Sequence, residues 1–218
     1  MANPPPPLTE QALRQALRAW LIPKLDTNDL MVEELGIENG TTRIDLAVAS
    51  DRLLGFEIKS DFDNIDRLAH QMHAYNRVFD KLTIVTTESF IDVVTALLPN
   101  WWGISIGVHT PGGTKLQTVR EATLNPRQEV RSMAALLWRD EAYALLSPKM
   151  KVSSRANRAR LYELIADSFD LDQLRPCVIQ ILREREVLRA RDWRIKALAE
   201  ADVPSVPNGD WWHHAAMS

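Results

Sequence analysis

Four side chains close together in the sequence could do chemistry as a group: Glu34, Asp45, Glu57 and Lys59. Three are carboxylates and the fourth is an ammonium. Two or three carboxylates make a hard oxygen donor set of the kind that suits Mg²⁺ or Mn²⁺. An ammonium next to such a set can stabilise charge that develops on a phosphate. That chemistry needs all four groups on one side of one piece of structure.

The local sequence predicts such a piece. Asn39-Gly40 is a strong hairpin signal between strands over 31–37 and 43–48. A second turn, Ser50-Asp51-Arg52, leads into a strand over 53–59. Alternation puts Ile44, Leu46 and Val48 on one face, with Leu54, Phe56 and Ile58. Arg43, Asp45, Ala47, Gly55, Glu57 and Lys59 take the other face. A loop centred on Asn39-Gly40 sets Glu34 opposite Asp45. A three-residue loop at 50–52 sets Asp45 opposite Glu57, and Lys59 shares the face of Glu57. Like charges directly opposite cost up to about 1 kcal/mol per pair. A row of three therefore calls for a counter-cation. The plainer alternative is an exposed hairpin face decorated with charge.

Asp45 followed by Glu57-Ile58-Lys59 resembles the D…(D/E)-x-K signature of the PD-(D/E)XK nuclease superfamily. The stretch from Gly55 to Asp61, then Asp63, Arg67-Leu68, Gln71 and Tyr75, is similar to an uncharacterised bacterial and phage branch of it. Gln71 and Tyr75 also match the Q-x-x-x-Y motif of its RecB-type members. Ile44 stands where the signature has proline. The resemblance spans roughly residues 8–110.

The resemblance implies an α/β fold with a restriction-endonuclease-like core, a mixed central sheet flanked by helices. It implies Mg²⁺ (or Mn²⁺) held by Asp45, Glu57, the Ile58 carbonyl and Glu34, lowering the pKa of a bound water. Lys59 would orient that water or help to deprotonate it. Gln71, stacked with Tyr75, would point at the site, where its amide could bind a phosphate or a metal-bound water; the plainer reading makes Gln71 surface and Tyr75 core. The reaction would be hydrolysis of nucleic acid, DNA foremost, leaving a 5′-phosphate. In some members a glutamate on the first helix joins the metal site, so Glu10 competes with Glu34; hairpin register favours Glu34.

The flanking elements are predicted next. Thr9 caps a first helix carrying Leu13, Leu17, Trp20 and Leu21, limited by Pro23. Asp61 or Asp63 caps a helix over 64–79, whose apolar stripe is Ile65, Leu68, Met72, Tyr75 and Phe79. A buried parallel strand over 81–86, a helix over 88–98, a strand over 103–108 and an edge strand over 116–119 complete an α-β-β-β-α-β-α-β order. Trp101 and Trp102 are read as core. Helices follow over 129–146, 154–169 and 176–191, with Pro176 in the first turn of the last and Cys177 in the core. The expected division is a nuclease-like core over 1–122, a helical extension over 123–200 and a flexible tail over 201–218.

Charge narrows the partners. The net charge is −3, but residues 149–196 hold twelve Lys and Arg against seven Asp and Glu. Base thus collects away from the acidic site. Arg67, Arg155, Arg158 and Arg160 are candidate nucleic-acid contacts, the last three equally readable as solvated helix surface. The rival function is a non-catalytic regulatory member, phage-encoded, that binds nucleic acid or a protein partner through the helical C-terminal half. A single cysteine excludes an internal disulfide and fits a reducing, cytoplasmic location. The most apolar stretch, 91–108, contains Asp92, Pro99 and Asn100 and is no membrane span.

Overall fold

The computed structural model describes residues 6–200, and of 188–200 the backbone alone. The predicted tail, with Trp211-Trp212-His213-His214, lies outside the described residues. The chain divides into two compact units, residues 1–183 and 184–218.

Unit 1 is a mixed α/β structure around one six-stranded sheet. Its strands are β1 (Leu30–Ile37), β2 (Thr42–Ala49), β3 (Leu53–Ile58), β4 (Lys81–Thr86), β5 (Gly103–Thr110) and β6 (Gly113–Arg120). They lie side by side in sequence order. β1, β2 and β3 are antiparallel, β3–β4 and β4–β5 are parallel, and β6 returns antiparallel to β5. Each parallel step needs a crossover. α2 (Leu68–Tyr75) supplies the first and α3 (Ile91–Leu97) the second.

α1 (Glu10–Leu21) starts at Thr9, whose hydroxyl accepts the Ala12 N–H as predicted. Its Leu13, Leu17 and Leu21 pack on Leu46, Val48, Phe56, Ile58 and Val85 from one sheet face. Gly107 permits that approach: a Cβ there would sit 2.4 Å from Leu13 Cδ2 and 2.9 Å from Leu8 Cδ1. The opposite face, with Ala47, Ala49, Leu82 and Ile84, joins a larger core. That core includes Tyr75, Phe79, Trp101 and Trp102, so both tryptophans are core as expected.

Hairpin registers agree with the predicted ones at the flanking pairs, Glu33↔Leu46 and Leu35↔Ile44 in the first and Ala49↔Leu53 and Leu46↔Phe56 in the second. The predicted alternation fails at one place. Ile44 belongs to the larger core, not with Leu46 and Val48. The reason is local: Glu34 adopts φ 54°, a left-handed conformation, and β1 and β2 turn over at Glu34 and Asp45. Val32 and Leu35 are then both buried although three apart.

Several helix boundaries differ from expectation. The helix predicted over 64–79 is a 3₁₀ turn, Ile65–Arg67, followed by α2, which ends at Tyr75. Its cap is Asn64, which accepts the Asp66 N–H; Asp63 instead accepts from Ser60, and Asp61 from Leu8, Thr87 and Ser89. The helix predicted over 129–146 is two, α4 (Val130–Ala134) and α5 (Arg139–Leu146). Burial of the adjacent Leu136 and Leu137 breaks the period, and the Glu141 carboxylate caps the Trp138 N–H at 2.6 Å. α6 (Arg158–Ser168) starts at its Asn157 cap. α7 (Leu171–Glu200) starts five residues earlier than expected, so Pro176 is interior, and Cys177 is half-buried with its thiol on the Gln173 carbonyl.

The helices from α2 onward, as far as Leu182 in α7, share the larger core with one face of the sheet. Polar contacts tie α7 to the sheet: Arg183 donates to the Ser50 carbonyl at 3.1 Å, and Arg175 meets a buried acid. Asp80, about 1% exposed, accepts the Leu53 N–H at 2.8 Å, Arg175 Nε at 2.8 Å and Arg52 at 3.3 Å.

Candidate functional site

The site forms where β2 parts from β3. Ladder pairing runs from Ala49↔Leu53 to Leu46↔Phe56. One step on, the Asp45 side chain replaces a ladder bond, with Oδ2 accepting the Ile58 N–H at 2.6 Å. Behind it lies Glu57, about 1% exposed. Its Oε1 accepts from Lys59 Nζ at 2.7 Å and its Oε2 from the Tyr75 hydroxyl at 2.8 Å. Lys59 is itself fixed, its N–H on the Val85 carbonyl and its carbonyl on the Thr86 hydroxyl. The predicted triad of Asp45, Glu57 and Lys59 is thus gathered at one end of β3.

Burial, and then the charge of neighbouring Glu57, push Asp45 up to about 7, against the Ile58 N–H and the charges of Arg14 and Lys59. Burial also raises Glu57, opposed chiefly by Lys59. Tyr75 is raised by burial and by the Glu57 charge, so its hydroxyl stays a donor. The two carboxylates are thus held near one another at the cost of their ionisation.

Gln71 and Tyr75 are brought in by α2. Gln71 Nε2 donates to the Tyr75 hydroxyl at 3.1 Å, while its buried Oε1 has no partner. A cleft of about 650 Å³ opens over this end, lined by Glu34, Arg43, Asp45, Arg67, His70 and Gln71 among others. Arg67 lies at the cleft. Arg155, Arg158 and Arg160 do not line it; all three are exposed around the start of α6, with Arg160 3.3 Å from Glu163. The Tyr162 hydroxyl of α6 reaches Asn39 in the β1–β2 turn at 3.2 Å.

Sequence reasoning missed Arg14. Its guanidinium lies 2.7 Å from Glu10, 3.1 Å from Glu34 and 3.4 Å from Asp45 Oδ1, and also donates to the Asp45 carbonyl at 3.1 Å. Both candidates for a third carboxylate, Glu34 and Glu10, thus face Arg14 of α1, and Glu34 also faces Arg43 Nε at 3.6 Å. Glu34 lines the cleft and Glu33 does not; Glu33 pairs with Arg18 at 2.6 Å. The i,i+4 spacing of Glu10 and Arg14 was the available signal, but it reads as an ordinary helix-surface pair. Among the described residues no group of three or more His, Cys, Asp or Glu is arranged to hold a metal. Nor is any described helix long and apolar enough to cross a membrane.

Comparison with known proteins gives a family. The profile described as "Bacteriophage P4 protein cII" matches residues 7–199. Protein cII of Enterobacteria phage P4 is 27% identical over 187 residues, covering 85% of this chain and 71% of its own. Among solved structures, the SPO1766 protein of unknown function from Silicibacter pomeroyi aligns over 88% of this chain and 96% of its own, at 14% identity and a TM-score of 0.41.

Proposed function

The chain belongs to the bacteriophage P4 protein cII family, and from that premise and the geometry above we propose that it is a metal-dependent nuclease of the PD-(D/E)XK kind, acting on nucleic acid with DNA foremost. The observation that carries this reading is Lys59 on Glu57 at 2.7 Å beside Asp45, whose carboxylate takes the Ile58 N–H at the parting of β2 and β3. The order α1-β1-β2-β3-α2-β4, antiparallel twice and then parallel, supports a restriction-endonuclease-like core.

The chemistry of the donors, two carboxylates rather than a full set of three, supports Mg²⁺ or Mn²⁺. Asp45 and Glu57 offer hard oxygens, the Ile58 carbonyl lies next to Glu57 in sequence, and the orphan acceptor Gln71 Oε1 wants a donor. Such a cation, when bound, supplies Lewis-acid stabilisation of charge on the phosphate and a more acidic water. The chain's own residues do the rest. Lys59, held by Glu57, keeps an ammonium where charge builds up on a phosphoryl oxygen. Tyr75 and Gln71 fix the orientation of Glu57. Arg67, Arg43 and His70 line the cleft through which a phosphate backbone would approach.

The second reading is a non-catalytic regulatory member binding nucleic acid or a protein. Arg14 favours it, because a protein cation already stands among Glu10, Glu34 and Asp45. One experiment separates the two readings. Single-stranded, duplex and branched DNA and RNA are incubated with the full chain and Mg²⁺ or Mn²⁺, with chelator and Asp45→Ala as controls. The nuclease reading expects cleavage of at least one substrate that both controls abolish. No cleavage, with no divalent-cation binding by calorimetry, would leave the second reading.

A further inference from the structure

Resting on the metal reading above, we infer that Arg14 is a resident counter-cation and that a divalent ion reaches Asp45 only in competition with it. Asp45 has two carboxylate oxygens. Oδ2 is committed to the Ile58 N–H at 2.6 Å, a strand-end bond that fixes the side chain. Oδ1 is the oxygen with no backbone donor on it, and it is the one that faces Arg14 at 3.4 Å. Glu34, the next oxygen donor along the cleft, faces the same guanidinium at 3.1 Å.

Arg14 is not placed there by chance of rotamer. Its second nitrogen donates to the Asp45 carbonyl at 3.1 Å, and Glu10 holds it from its own helix at 2.7 Å. Its side chain is 17% exposed. α1 cannot drift away from the sheet without emptying the packing of Leu13 over Gly107 and of Leu17 in the same apolar cluster. A guanidinium held this way screens the carboxylates in the absence of metal and repels an arriving cation. Arg14 is thus a positioning residue for the site, setting how readily the metal binds rather than touching substrate.

The test measures Mn²⁺ binding by calorimetry and the Mn²⁺-induced rise in melting temperature, on the full chain and on Arg14→Gln and Arg14→Lys. We expect Arg14→Gln to bind Mn²⁺ at least tenfold tighter than wild type and to gain more melting temperature from it. Arg14→Lys, which keeps the charge, should return most of the wild-type weakness; a purely structural role would not show that rescue. Binding by Arg14→Gln alone, with none by wild type, supports the inference most strongly. Equal or weaker binding by Arg14→Gln while wild type binds overturns it and leaves the metal reading standing. Binding by no variant overturns both. If Arg14→Gln does not fold, Arg14→Met, which keeps the aliphatic stem, is read by the same outcomes.

Discussion

Asp80 and Glu57 are both carboxylates about 1% exposed, and the fold treats them differently. Asp80 receives a backbone N–H and two guanidinium groups, Arg175 and Arg52. Glu57 receives one ammonium and one phenol, and stands close enough to Asp45 to raise it. The first is compensated from both sides of the fold and joins α7 to the sheet. The second is under-compensated, stands beside a cleft and has an unpartnered amide oxygen near it. A buried acid with surplus donors reads as structure. A pair of acids that burial raises although each faces a cation, Lys59 on Glu57 and Arg14 on Asp45, is the kind of place where the metal reading puts its ion.

The comparison can be broken at either end. The largest effect is expected from Lys59→Ala, which should reduce cleavage by about a thousandfold while leaving nucleic-acid affinity near wild type in a binding assay. Parallel loss of affinity would move Lys59 from chemistry to binding. Asp80→Ala should cost about 3–5 kcal/mol in denaturant unfolding, since it leaves the Arg175 guanidinium buried without its main partner. A cost below about 1 kcal/mol, no more than an exposed ion pair contributes, would deny the clamp its role.

A third change sharpens the contrast through pH. Asp45 is raised from 3.8 to about 7 in the folded state, so over that interval the folded chain holds more protons than the unfolded one. Stability of the metal-free protein should then fall as pH rises from about 4 to 7 and level off above. Glu57 is raised as well and acts in the same direction. Asp45→Asn should flatten much of that fall in unfolding curves taken across the range, and a wild-type profile that rises instead would remove the under-compensated site. The smallest effect is expected from Arg155, Arg158 and Arg160 changed together to Ala. Nucleic-acid affinity should drop modestly, with the slope of log affinity against log salt shallower by roughly 0.7–0.9 for each phosphate that the variant no longer neutralises. An unchanged slope would assign the three to solvated surface.

Much of this was legible in the sequence because it depends on local rules. Asn39-Gly40 and the Ser50–Arg52 turn set register, register brought Asp45 toward Glu57, and two-residue spacing put Lys59 beside Glu57. Four-residue spacing stacked Gln71 on Tyr75. What could not be read depends on contacts between distant segments. Arg14 reaches Asp45 across 31 positions, and Asp80 meets Arg175 across 95. The left-handed Glu34 was equally hidden, because glutamate carries no sign of that conformation and only the packing of Val32 with Leu35 demands it. The break between α4 and α5 was missed because Leu136 and Leu137 continue an apolar pattern that the chain spends on a turn.

The sequential strand order also has a kinetic meaning. Each strand pairs with the one just made, so the sheet can grow in the order of synthesis, with every closure short except for two crossovers. The Asp80–Arg175 contact closes far later in that order. It should therefore be absent from the rate-limiting step of folding, and removing it should speed escape from the native state while hardly slowing arrival. Asp80→Ala should on this view raise the unfolding rate measured after a denaturant jump and so shorten the time for which the cleft stays assembled.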